Sequence, residues 1–175
     1  MIIHVWPASD SHSDAKLHCG QTIMSAVIGK NGVTSRKREG DMCTPVGHFT
    51  LRKVYYRADR VEPPQTCLPL APITSQDGWC DDPGSELYNH FLIHPHPARH
   101  EMLWREDAVY NIVVVIGYND SPAVPGKGSA IFMHLQRPDL TPTEGCVALS
   151  EHDLLEVLAS GATAITIHAA ADTPG

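Results

Sequence analysis

Long apolar runs are missing from this 175-residue chain. The longest, residues 112–117, falls far short of the roughly 20 residues a membrane-spanning helix needs. Positive charge is scarce as well: 13 Lys and Arg stand against 20 Asp and Glu, a formal net charge of −7. Phosphate neutralisation needs clustered cations, so this balance argues against a general nucleic-acid binder. The only basic cluster, Arg36-Lys37-Arg38, is followed at once by Glu39 and reads as a solvated loop. The five cysteines (Cys19, Cys43, Cys67, Cys80 and Cys146) include no CxxC pair and no zinc-ligand spacing. Their odd number leaves at least one thiol free if the others pair. The opening residues, Met1-Ile2-Ile3-His4-Val5-Trp6-Pro7, lack the basic segment and apolar stretch of a secretory signal. That leaves three readings open: an intracellular protein, another export route, or a leader already removed.

What is present is a globular composition, 42% hydrophobic, in a chain sized for one domain over residues 1–175. Residues 2–6, 21–28, 48–55, 91–94, 109–116, 129–134 and 163–168 are rich in Val, Ile, Phe, Tyr and Thr and read as strands. Fourteen prolines spread through the connections disfavour long helices. One helix is well signalled. Ser150 precedes Glu151-His152-Asp153 as an N-cap with an acid three positions on, Leu154, Leu155, Val157 and Leu158 form a stripe, and Gly161 marks the end. A weaker helical turn is expected at 99–106. Residues 57–90, with Pro63-Pro64, Pro69, Pro72 and Pro83, read as a long irregular insertion on the substrate side. The class is mainly β.

Cys146 carries the chemistry. It stands in Thr143-Glu144-Gly145-Cys146-Val147, twelve positions after His134 in Ile131-Phe132-Met133-His134. An imidazole within reach turns a thiol into a nucleophile, and Gly145 lets the backbone bend and approach a substrate. Outward N–H groups at such a bend can receive an oxyanion. The helix that starts a few residues later presents its positive end, which is expected to lower the thiol pKa. The competing reading is a buried core strand with a cysteine acting as a small hydrophobe.

Further segments, in the same order, make the chain resemble the L,D-transpeptidase catalytic domain family of peptidoglycan enzymes. Thr44-Pro45-Val46-Gly47-His48-Phe49 is similar to the family's TPxGxF strand entry, residues 129–134 to the strand ending in its histidine, and 143–147 to its nucleophile motif. Gly78-Trp79-Cys80-Asp81-Asp82-Pro83, Tyr88-Asn89 and residues 113–120 resemble a soluble single-domain branch. Three features depart from the family pattern. Glu144 replaces a histidine, Ala148 replaces a frequent Arg or Asn, and the His134–Cys146 interval is short. They bear on the donor, the acceptor and the bond formed.

The resemblance implies a mostly antiparallel β-sandwich with few helices, no cofactor and no metal. It implies Cys146 as nucleophile, His134 as general acid and base with a backbone carbonyl orienting its other nitrogen, and the N–H groups of Gly145 and Cys146 as the oxyanion site. Stem peptides of peptidoglycan are the expected partners, joined between two diaminopimelate residues or from the first stem residue to diaminopimelate. A monomer in the periplasm or cell envelope, acylated by carbapenems, completes the expectation. Thr143, Glu144, Trp79, Asp81, Tyr118 and Arg137 are the candidate substrate-binding residues, with Asn119 and Arg99 beside them. Each has a plain alternative as a turn former, loop anchor or surface charge. The rival functions are an L,D-carboxypeptidase or amidase, and a peptidoglycan-binding module without turnover. A metal site at His94, His96 and His100 is disfavoured, because no carboxylate–histidine helix motif accompanies it.

Overall fold

Period-two burial organises the chain, with β2 as the clearest case: Ala15, Leu17 and Cys19 turn inward while Asp14 and Lys16 face solvent. The structure is a computed structural model and describes residues 1–170. Its elements in chain order are β1 (Ile2–Pro7), β2 (Asp14–Cys19), β3 (Thr22–Val27), β4 (Val33–Thr34), β5 (Thr44–Pro45), β6 (Gly47–Tyr56) and β7 (Leu70–Pro72). They continue with β8 (Asp77–Cys80), β9 (Phe91–Ile93), β10 (His100–Met102), β11 (Ile112–Ile116), β12 (Phe132–Leu135), β13 (Val147–Leu149), α1 (Glu151–Ala159) and β14 (Ala164–Ile167). Gly20, at φ +62°, supplies the backbone that the two-residue turn between β2 and β3 requires.

The main sheet runs β11-β12-β13-β3-β2-β1-β14-β6, and β6 pairs back onto β11 through Tyr56↔Ile112, Tyr55↔Val113 and Val54↔Val114. The sheet therefore closes on itself, which removes its open edges. Most pairings are antiparallel; β1–β14, β12–β13 and the β6–β7 branch are parallel. The seam between β13 and β3 is the thinnest, a single register pair, Ala148↔Val27. Ile3, Val5, Leu17, Ile28, Met133, Val147, Leu149 and Ile165 point inward and meet Leu154, Val157 and Leu158 of α1. Ser150 caps that helix by accepting from the Asp153 N–H at 3.1 Å, and Gly161 at φ +79° ends it.

The insertion is more ordered than its prolines suggest. It holds β7 and β8, and β8 joins β9 and β10 in a separate three-stranded sheet. This sheet covers the outer face of β6, β11 and β12 through a second core of Tyr55, Ile73, Trp79, Leu103, Val113 and Phe132. The helical turn expected at 99–106 is absent. Glu101 pairs with Trp79 across β10 and β8 instead, so tertiary pairing overrides the local helical pattern. The strand expected from 129 begins at Phe132, because Ala130 holds φ +53°, outside extended geometry. That from 109 begins at Ile112.

Candidate active site

Strand parity puts the two reactive groups on one face. In the parallel β12–β13 pair Met133 lies beside Val147 and Leu135 beside Leu149, all directed into the closed sheet. Their alternates, Phe132, His134, Cys146 and Ala148, face the side covered by the insertion. The bend before β13 depends on Gly145. Its φ is +140°, and a Cβ there would lie 2.8 Å from the Cys43 carbonyl oxygen. Thr143 fastens the bend: its hydroxyl donates to the Cys146 carbonyl at 2.7 Å and accepts from the Gly145 N–H at 3.2 Å. Thr44, fully buried, adds a hydroxyl to the same Cys146 carbonyl at 3.4 Å. The Gly145 N–H is thus engaged by Thr143 and must leave it to serve an oxyanion.

Cys146 is 8% exposed. Its thiol donates to the Ala130 carbonyl at 3.3 Å and accepts from the Phe132 N–H at 3.4 Å. Burial pushes the thiol up to about 12, and the carboxylates of Glu101 and Glu144 add to the rise against the relief from Phe132. The lowering expected from the helix terminus is outweighed. His134 donates from Nδ1 to the Leu135 carbonyl at 2.9 Å. A carbonyl only accepts, so Nδ1 carries the proton and Nε2 keeps its lone pair. Burial brings this imidazole down to about 4, so it is neutral, with a free Nε2 lone pair, across the physiological range. In the resting site the thiol is bonded to Ala130 rather than to His134, and proton transfer requires the thiol to turn from that carbonyl.

Asn89 holds Ala130 by its N–H, on the residue whose carbonyl meets the thiol. Its Oδ1 accepts from Ala130 N–H and Trp79 Nε1, both at 3.0 Å, and its Nδ2 donates to the carbonyls of Tyr118 and Asn119, both at 2.9 Å. The amide therefore uses two donors and two acceptor positions.

His134 and Cys146 line one pocket of about 420 Å³ with Thr143, Glu144, Asp81 and Arg137. Lys37, Glu39, Glu101, Arg105 and Tyr110 complete its polar wall. Most of these charges are matched. Lys37 pairs with Asp41 at 2.5 Å and Asp81 with Arg99 at 3.0 Å. Asp107 bridges Arg105 at 2.7 Å and Arg137 at 3.3 Å, and the Arg105 guanidinium is the main cause of its drop to about 2. Glu39 accepts from the hydroxyls of Tyr88 and Ser129.

Trp79 and Tyr118 lie off this wall. Trp79 is buried, edge-on to Phe132, and borders a second pocket of about 300 Å³ beyond Phe132 and Ile131. Tyr118 packs on Phe49 and donates to the Lys127 carbonyl. Asn119 braces its own loop through the carbonyls of Val124 and Gly128. Arg99 sits on the rim, tied to Asp81. Sequence reasoning missed Glu101, Arg105, Tyr110 and Asn89. The first two lie in the segment read as helical; Tyr88-Asn89 stood out only as part of a motif.

His94 and His100 hydrogen-bond each other at 3.0 Å, and among the described residues no group of three or more His, Cys, Asp or Glu is arranged to hold a metal ion. All five cysteines are free thiols. No described helix is long and apolar enough to cross a membrane. Comparison with curated proteins and with solved structures gives no match for the chain. The family model YkuD, the L,D-transpeptidase catalytic domain, matches residues 16–167. With that match spanning nearly the whole chain, from β2 to the end of β14, the protein belongs to the L,D-transpeptidase catalytic domain family.

Proposed function

We propose that the chain is a cysteine L,D-transpeptidase that joins peptidoglycan stem peptides through a thioester on Cys146. One observation carries this reading. A thiol and a neutral imidazole of fixed tautomer face the same polar pocket. In acylation His134 Nε2 takes the thiol proton, and Sγ bonds to the carbonyl carbon at the L-centre of a diaminopimelate residue. The oxyanion is received by the Cys146 N–H, joined by that of Gly145 once Thr143 releases it. The carbon–nitrogen bond to the terminal D-alanine breaks, and His134 returns the proton to the leaving amine. The amine of a second stem then attacks the thioester and passes its proton to His134. The new amide forms as the thiol is restored.

Arg137 is the candidate for a substrate carboxylate, because Asp107 occupies it only in part. Glu144, exposed at the rim, is the candidate for the incoming amine. Family membership supports action on peptidoglycan in the cell envelope. Incubation with disaccharide tetrapeptide and pentapeptide, read by mass spectrometry beside Cys146→Ala, tests the reading. Dimers that depend on Cys146 are expected, and fragmentation identifies the bond. Shortened monomers alone would make the protein a carboxypeptidase, and unchanged substrates would refute both.

A further inference from the structure

We propose that Glu101, held by Tyr110, binds the primary ammonium at the end of the donor stem's diamino-acid side chain and thereby selects which stems reach Cys146. This rests on the function proposed above. Within the pocket Lys37, Arg105, Arg137 and Asp81 each meet an opposite charge, and Glu39 is held by two hydroxyls. Glu101 has neither arrangement: Arg105 acts on it through space, but that guanidinium is bonded to Asp107 at 2.7 Å. The one hydrogen bond to Glu101 among the described residues is from the Tyr110 hydroxyl to Oε1, at 3.0 Å, which leaves Oε2 for a ligand.

The placement is specific. Strand pairing with Trp79 fixes the Glu101 backbone, and the buried Tyr110 ring stands edge-on to both Phe132 and His134. The carboxyl is therefore anchored relative to the general base by packed aromatic groups. Once ionised, as it is above about pH 7, it also opposes formation of the Cys146 thiolate. A negative group beside a thiol that must ionise hinders catalysis unless the substrate brings a cation. A diamino-acid stem carries that cation a few bonds from the carbonyl under attack. Seating its ammonium on Oε2 neutralises Glu101 and favours the thiolate, so recognition and activation coincide in one contact. An N-acetylated side chain, or one without an amine, leaves the opposing charge in place.

Glu101→Gln keeps the shape and removes the charge, and two readouts test it. Cys146 alkylation by iodoacetamide, followed against pH without substrate, is expected to begin at lower pH in the variant; an unchanged profile overturns the proposal. Release of D-alanine is then compared for two tetrapeptide donors, one with a free side-chain amine and one N-acetylated. The wild-type protein is expected to favour the free amine by about tenfold or more in kcat/KM, the scale of a charge-assisted hydrogen bond. Glu101→Gln is expected to reduce that preference to within about twofold, mostly by raising KM for the free amine. A preference retained in the variant, or absent from the wild type while turnover is intact, overturns the role of Glu101. Failure of the wild-type protein on both donors instead overturns the transpeptidase reading, and the ligand assignment with it.

Discussion

At the scale of single residues, Cys146 and His134 are both neutral at rest. With the thiol near 12 and the imidazole near 4, a preformed thiolate–imidazolium pair is strongly disfavoured. Cys146 should therefore react slowly with iodoacetamide at pH 7, well behind the exposed Cys67, as peptide mapping of alkylated protein would read. The value of kcat/KM should fall as pH drops through about 4, where His134 of the free protein takes a proton and loses its lone pair; a kcat/KM profile flat to pH 3 would contradict this. His134→Gln should lower kcat about 10²- to 10⁴-fold, measured as D-alanine release. That Cys146 and His134 would share a site was expected from the motifs of the family resemblance, and both line one pocket. The direction of the thiol shift was not legible, because it depends on burial beneath an insertion whose path the sequence does not reveal.

At the scale of elements, the insertion supports the surroundings of Cys146 through Asn89. Replacing Asn89 with Ala strands Trp79 Nε1 and the Ala130 N–H in a buried site, a loss of about 2–4 kcal/mol. The same change unties the Ala130 N–H and so loosens the residue whose carbonyl meets Cys146, so kcat should fall at least about tenfold with KM less affected. Steady-state kinetics on the folded variant read this, and unchanged kcat would refute it. Helix α1 gives a contrasting test. Ser150→Ala should remove about 1 kcal/mol of stability, seen as a lower Tm, with kcat/KM intact. Its cap and stripe were readable because helix signals are local. Strand β10 reads locally as part of a helical turn, while what decides its conformation is pairing with β8, over twenty residues upstream. Strands β4, β5 and β7 are two or three residues long and carry no usable alternation.

At the scale of the whole molecule, closure of the sheet through β6 and β11 unites the ring, and no local pattern encodes that pairing. The mainly β class was legible; which strands are neighbours was not. Glu101 links the site to global stability. Burial raises its carboxyl to about 7 against 4.5, so the folded state favours the protonated form. Its contribution is present in full below pH 4.5 and is lost as pH rises through 7. Glu101→Gln should therefore be more stable than the wild-type protein at pH 8, by roughly 1–3 kcal/mol, and equal to it near pH 4. Thermal unfolding at the two pH values would show this as about 2–4 °C for each kcal/mol. A gain in stability with a loss of substrate selection is the pattern expected of a group retained for function.

The claim on which all of this depends is acyl transfer through Cys146. The protein is mixed with a tetrapeptide-stem donor in the absence of acceptor, quenched in acid and mapped by mass spectrometry. The donor less its terminal D-alanine should be found in thioester linkage on Cys146, absent from Cys146→Ala and slow to form in His134→Gln. Consumption of the donor with no adduct at Cys146, or an adduct on Cys43 or Cys67 instead, would contradict the account.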